Sequence, residues 1–314
     1  VSLVFDKENG SLLSYNFSDN EFIKSSPYTN FWRASIDNDY GNNLPLRSIE
    51  WKKASNSRQL ESIVTNKIDA NLVEVVVNYK LNNVGSNNKI TYTINSKGVL
   101  KVKNDLVYEG KLKDAEIPRF GMNFTIPKEY SDVVWYGRGP HENYIDRKSS
   151  AFVGLYGSSV EDLGFDYSRP QENGYRTDVR WLKVSNKDKI GFEIRGEPLI
   201  SFSAHYNTID DFDDGLIPQK PGEELAVRQR LVKMQRKPVD VPERDFISLN
   251  IDLKQMGVGG DNSWGARTLP KYTIDPGNYS YSFTVLPFNW ENLQLKKTAI
   301  LVISQNITFF VEFY

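Results

Sequence analysis

The sequence predicts an all-β protein, on three observations. Apolar and polar residues alternate with a period of two through much of the chain. β-Branched and aromatic residues crowd those runs, and turn signals separate them at short intervals. Long stretches with a 3.6-residue period are lacking.

The elements follow in order. Leu72-Val73-Glu74-Val75-Val76-Val77-Asn78-Tyr79 is a β-branched strand. Residues 89–94 alternate cleanly, as do 100–103, continuing to 106–108. Further strands are expected at 120–126, 181–184, 190–194, 199–203, 226–232, 246–251 and 279–285. Asn9-Gly10, Gly85-Ser86-Asn87, Lys97-Gly98 and Pro276-Gly277 mark turns. Only 159–163 and 209–212 read as short helices. Residues 137–180 form the longest region of weak strand signal, rich in Gly, Pro, Asn and Arg. A long ordered loop in a compact domain is often functional. With no composition break, repeat or linker, one continuous β architecture is expected.

Composition removes several functions. The 39 basic residues nearly balance 40 acidic ones, which argues against a nucleic-acid platform or a polybasic membrane surface. The absence of cysteine excludes disulfides and thiolate metal sites. No apolar stretch reaches the ~20 residues of a spanning helix. The first residues run straight into Asp6 and Lys7 without a leader pattern, so the chain is expected to begin inside a processed or longer protein. The 17 Tyr, 17 Phe and 6 Trp suit either a β core or sugar stacking, and the core is the simpler reading.

Metal chemistry is poorly supplied, because His141 and His205 are the only histidines and lie far apart. Asp37-Asn38-Asp39-Tyr40-Gly41 resembles the start of a calcium loop but lacks the later glutamate. Its acidic and amide side chains are expected to satisfy turn amides. Asp210-Asp211-Phe212-Asp213-Asp214 reads as a solvated loop. No Gly-x-Ser-x-Gly elbow is present.

Met256-Gly257-Val258-Gly259-Gly260-Asp261-Asn262-Ser263-Trp264 is glycine-rich, but without the Lys and Ser/Thr of a phosphate loop. Its glycines are expected to permit positive φ angles and a tight backbone path. Such a path can present the Trp264 indole outward, against the apolar face of a pyranose; a core position is equally open on the residues alone. Glu142 lies in Gly137-Arg138-Gly139-Pro140-His141-Glu142-Asn143-Tyr144, and Glu172 in Pro170-Gln171-Glu172-Asn173-Gly174. Two carboxylates could form a glycosidase pair. The preferred reading is a hydrogen-bonded ionic network with Arg138, Arg147, Arg176 and Arg180.

At these residues the sequence resembles the C-terminal small-chain domain of the large β-galactosidases of glycoside hydrolase family 2. The resemblance rests on Phe31-Trp32-Arg33-Ala34-Ser35-Ile36-Asp37-Asn38-Asp39 and on Trp135-Tyr136-Gly137-Arg138-Gly139-Pro140, with Glu142-Asn143-Tyr144 and Asp146-Arg147 following. Pro170-Gln171-Glu172-Asn173-Gly174 with Arg176, and the loop from Met256 to Trp264, complete it in the family's order.

The resemblance implies a large β supersandwich, galactose mutarotase-like, over residues 1–288, with 289–314 an unmatched tail that is strand-like in places. It implies a TIM-barrel partner domain in the parent chain, which carries the acid/base and nucleophile glutamates. No catalytic residue, metal or cofactor is then expected in this chain. Trp264 would contact a galactoside or other carbohydrate, with Gly260, Asp261, Asn262 and Ser263 supporting its loop. Asn262 stands where the family often has Asp, with little expected consequence. Arg33, Asp37, Asp39, Arg138, Glu142, Asn143, Glu172, Asn173 and Arg176 would be structural motif residues. The chain alone is expected to be inactive, and a homo-oligomer is compatible with the family. Nucleic acid and membrane are not expected as partners, and the compartment is not fixed. Two further classes stay open: an aldose epimerase using His205 or His141 with a carboxylate, and a stand-alone carbohydrate-binding module.

Overall fold

A computed structural model describes residues 1–110, 112, 115–213 and 237–289, together with the backbone of 310–313. Strands β1 (Ser2–Phe5), β2 (Leu12–Phe17), β3 (Asn20–Glu21) and β4 (Ser25–Asn30) precede three short helices, α1 (Asp37–Gly41), α2 (Leu44–Arg47) and α3 (Ile49–Asn56). A meander follows: β5 (Gln59–Asp69), β6 (Leu72–Leu81), β7 (Ser86–Asn95) and β8 (Leu100–Tyr108). Next come β9 (Arg119–Pro127), β10 (Asp132–Gly139), β11 (Phe152–Ser159), β12 (Arg176–Ser185) and β13 (Ile190–His205). The chain continues through α4 (Ile209–Phe212), β14 (Phe246–Gln255) and β15 (Tyr279–Asn289), and β16 (Phe310–Phe313) pairs in parallel with β1.

Twelve of these strands form one branched antiparallel sheet, ordered β11-β10-β12-β13-β15-β8-β7-β6-β5. The branch arises within β13. Its first half pairs with β15, from Ile190 opposite Asn289 to Glu197 opposite Ser282. Its second half pairs with β14, from Ser201 opposite Asp252 to His205 opposite Ser248. β14 then carries β9, and β9 carries β4. One strand thus feeds two layers, and the core fills the space between them. Phe120 of β9 lies 5.6 Å from the Tyr281 ring of β15, and the Tyr281 hydroxyl donates to the Ile251 carbonyl of β14 at 2.7 Å. This is the all-β supersandwich expected from the sequence.

Alternation explains the layers. On β14, Ile247, Leu249 and Ile251 face the core, and Ser248, Asn250 and Asp252 take the opposite face. That polar face is buried too, so its groups bond each other. Asn30 and Asn123 donate to Asn250 at 3.2 and 3.0 Å, and Asn250 donates to Ser203 at 3.1 Å.

Several expectations need correction. The expected strands at 190–194 and 199–203 are one strand, because β13 passes from one layer to the other without breaking. Residues 137–180 are not one loop: they contain β11 and the start of β12. β11 is an edge strand interrupted by Gly154 and Gly157, with Phe152 73% and Leu155 67% exposed, so it carries no one-sided burial pattern. Asp37–Gly41 is helical, and the Asp39 carboxylate accepts the Ile36 N–H at 3.0 Å at its start. The acidic cluster is not a solvated loop. Asp211 and Asp213 are buried; Asp211 caps α4 and takes Arg244, and Asp213 accepts from Trp32 Nε1 at 2.9 Å, Tyr40 at 3.0 Å and Lys52 at 3.0 Å. Desolvated donors and a cation there supply what water would. The strand expected at 226–232 lies outside the described residues, as does most of the tail.

Candidate functional site

The loop after β14 is pinned by residues remote in sequence. Both Val258 N–H (3.1 Å) and Gly259 N–H (2.6 Å) donate to the Asp146 carboxylate. Arg33 donates to the Gly257 carbonyl at 3.3 Å, and Gly257 N–H reaches the Tyr272 carbonyl at 2.8 Å. The Asn38 carboxamide spans the loop, donating to the Asn262 carbonyl at 2.8 Å and accepting Gly265 N–H at 3.1 Å. Within the loop, Asn262 Oδ1 accepts the amides of Trp264 (2.9 Å) and Ala266 (3.3 Å).

The glycines differ from expectation. Only Gly265 takes a positive φ, 111°. Gly257 is needed for close approach instead, since a Cβ there would lie 2.4 Å from Asp146 Oδ2. Gly265 packs on Gly41 at the end of α1, where a Cβ on Gly41 would lie 2.5 Å from Gly265 Cα.

At the tip, Trp264 is 76% exposed, so the indole is not a core residue. Asp261 and Ser263 are exposed, and their side chains make no hydrogen bond among the described residues. Asn262 orders the tip. An Asp there would offer the same kind of acceptor oxygen, so an Asn/Asp exchange is expected to change these two bonds little. Asn262→Ala removes both bonds. Amide exchange at Trp264 and Ala266 is expected to accelerate by roughly 5- to 10-fold, about 1 kcal/mol of local stability, with the global unfolding midpoint unchanged. Hydrogen exchange read by NMR checks this.

Beneath the loop, Arg33 and Asp39 form a fully buried bidentate pair, with contacts of 2.9 and 3.2 Å. Burial pushes the Asp39 carboxyl above its ordinary range, and the Arg33 charge opposes that rise. Exposed Asp37 meets Arg169 at 3.0 Å, and Arg169 stacks over the Tyr40 ring at 4.1 Å.

The remaining motif residues shape the 137–180 region. Arg138 pairs with Asp178 and donates to the Ala151 carbonyl at 2.7 Å. Arg176 donates to the Leu163 and Pro140 carbonyls at 2.7 and 3.0 Å; burial brings its pKa down to about 10. Asn143 accepts Thr177 N–H at 3.0 Å and donates to the His141 carbonyl at 3.0 Å. Glu142 accepts from Gly174 N–H at 2.8 Å, from Tyr167 and from Arg147. Glu172 is buried against Arg119 at 3.1 Å. Arg180 bonds the Asp178 carbonyl at 2.6 Å. Each glutamate is therefore engaged by its own cation.

Arg119 also lies 3.4 Å from Asp252 and 2.9 Å from Gln255, and burial pushes Asp252 up to about 7. Exposed His141 meets Ser150 at 3.1 Å. His205 meets the Asn173 carbonyl at 3.1 Å, and burial pushes its pKa down to about 4. Neither histidine hydrogen-bonds a carboxylate among the described residues. Those residues also contain no cluster of three or more His, Asp or Glu able to hold a metal. None of their helices is long and apolar enough to cross a membrane.

Asp146, Arg119, Asp252 and Gln255 carry much of this geometry with no side-chain role expected from sequence, and Asn38, expected to satisfy an amide of its own turn, accepts one from the distant loop instead. One signal was available: consecutive glycine-flanked amides need an acceptor, and Arg119 adjoins an apolar strand where a charge must be paired.

A curved antiparallel scaffold thus presents one indole on an anchored loop. The chain belongs to the beta galactosidase small chain family, which matches residues 1–285. It is 36% identical over 285 residues to a β-galactosidase of Priestia megaterium, covering 90% of this chain and 25% of that protein. A β-galactosidase of Halalkalibacterium halodurans is 29% identical over 276 residues, covering 87% and 25%. The chain spans about a quarter of the length of these curated relatives. Among solved structures, a putative aldose 1-epimerase of Escherichia coli K12 aligns with TM-score 0.41 and 9% identity, covering 92% of this chain and 98% of that one. Galactose 1-epimerase of Lactobacillus acidophilus NCFM aligns with TM-score 0.44 and 9% identity, covering 90% and 89%.

Proposed function

We propose that this chain is the C-terminal part of a retaining β-galactosidase of glycoside hydrolase family 2, and that Trp264 forms one wall of its substrate site. The hydrolysis of terminal β-galactosides is assigned to glutamates on a TIM-barrel domain elsewhere in the parent polypeptide. The observation that carries this reading is the 76% exposure of an indole whose loop is tied to Arg33, Asn38 and Asp146. Burial of exposed apolar ring surface against a sugar is favourable, and an anchored backbone lowers the ordering cost of that contact. The indole face suits the C–H groups of a galactose ring or of its leaving group. Orientation, not proton transfer, is the contribution of this chain. The match to β-galactosidases of about four times its length supports a partner domain.

The test uses the parent enzyme and an aryl β-galactoside. Trp264→Ala is expected to lower kcat/KM by roughly 10- to 100-fold, about 1.4–2.7 kcal/mol, with unchanged circular dichroism, and Trp264→Phe to recover most of it. The 314-residue chain alone is expected to give no turnover. Wild-type kcat/KM in Trp264→Ala, or turnover by the chain alone at the parent's rate, would exclude the reading.

A further inference from the structure

Away from the Trp264 loop lies a cleft of about 550 Å³, within the size range of small-molecule sites, and no residue of 256–265 lines it. His205, at the end of β13, forms its floor. The Asn173 carbonyl sits 3.1 Å from His205 Nε2. A carbonyl only accepts, so Nε2 carries the proton and Nδ1 presents a bare lone pair. Nδ1 has no hydrogen-bond partner among the described residues. Gly174 permits this packing, because a Cβ there would lie 2.6 Å from the imidazole Cε1.

Asn173 organises the walls as well as the floor. Its Oδ1 accepts Phe165 N–H at 3.1 Å, and its Nδ2 donates to the Gln171 carbonyl at 3.0 Å. The turn so held sets Phe165 and Tyr167 with ring centroids 4.6 Å apart, and Glu142 fixes the Tyr167 hydroxyl. Phe165 remains 60% exposed at the mouth. Among the described residues, Glu161, Asp166 and Glu243 stand at the rim with Lys128 as the single lysine, and Lys128 is paired with Glu243. Three carboxylates against one paired ammonium disfavour a phosphate or carboxylate ligand. Aromatic faces beside an imidazole lone pair and carboxylates suit a ligand with many O–H donors and apolar C–H faces.

We propose that this cleft binds a neutral saccharide, with hydroxyl groups donating to His205 Nδ1 and the rim carboxylates and a C–H face stacked on Phe165. It is separate from the wall assigned to Trp264, and neither depends on the other. The test is NMR titration of the full 314-residue chain, reading the His205 imidazole nitrogens, with lactose, cellobiose and maltose as neutral probes and galacturonate as an anionic one. At least one neutral disaccharide is expected to shift the His205 resonances with a Kd of roughly 1–10 mM. Phe165→Ala, at an exposed position, is expected to weaken that binding roughly three- to tenfold. Trp264→Ala is expected to leave it unchanged, and galacturonate to bind more weakly. The proposal is overturned if no neutral probe shifts His205 at about 100 mM. It is also overturned if Phe165→Ala binds like the wild type, if Trp264→Ala abolishes the shift, or if galacturonate binds as tightly.

Discussion

Arg119→Met is expected to lower the unfolding free energy by about 3–5 kcal/mol, and by less at pH 5 than at pH 8. Arg119 is fully buried, with Glu172 oxygens at 3.1 and 3.2 Å, Asp252 at 3.4 Å and Gln255 at 2.9 Å. Methionine keeps the apolar stem and removes the charge, leaving two buried carboxylates uncompensated. Burial already raises both, Asp252 to about 7, and Arg119 opposes each rise. An acid whose folded pKa is raised holds a proton in the folded state at a pH where the unfolded chain has lost it. For Asp252 that window runs from its ordinary 3.8 up to about 7: stability is greatest below it and is lost as pH climbs through it. Without Arg119 both carboxyls rise further, the window widens upward, and the deficit grows with pH. Urea unfolding at pH 5 and pH 8 measures it. An equal deficit at both would remove the carboxylates as its cause.

Arg33→Met is expected to cost about 3–5 kcal/mol as well, and also to loosen the Trp264 loop. The substitution strands the Asp39 carboxylate, which is buried, and deletes the donor at the Gly257 carbonyl. Amides of Val258, Gly259 and Gly265 are expected to exchange faster than in the wild type at matched distance from the unfolding midpoint. Arg33→Met with Asp39→Leu removes both charges, so it is expected to recover part of the global stability without slowing loop exchange. A double variant no more stable than Arg33→Met alone would point to packing instead of the stranded charge.

These two clusters also show where the sequence is silent. β6, β7 and β8 were legible because each buries alternate residues, so period two is written into the chain. β5 was not, because most of this edge strand is exposed on both faces and nothing constrains its pattern. α1 to α3 are four to eight residues long, too short to show a helical period, and packing of Trp51, Leu44 and Tyr40 holds them. The candidate site divides in the same way. Glycines and indole announce an unusual loop, and the family resemblance selects the outward reading of Trp264. The anchors cannot be read locally, because Asn38 lies 224 residues from Asn262 and Asp146 lies 112 from Val258.

The contact between Gly41 and Gly265 makes two distant positions thermodynamically one. Each leaves no room for a methyl group on the other's side, so a single alanine at either must part α1 from the loop. Once they are parted, the second alanine meets open space and adds only its own backbone strain. A double-mutant cycle at 41 and 265 is therefore expected to be strongly sub-additive, with a coupling of about 1 kcal/mol or more. Natural variation is then asymmetric: a lineage that loses Gly265 has little further reason to keep Gly41, whereas loss of Gly41 removes only the clearance requirement at Gly265, whose φ of 111° still favours glycine.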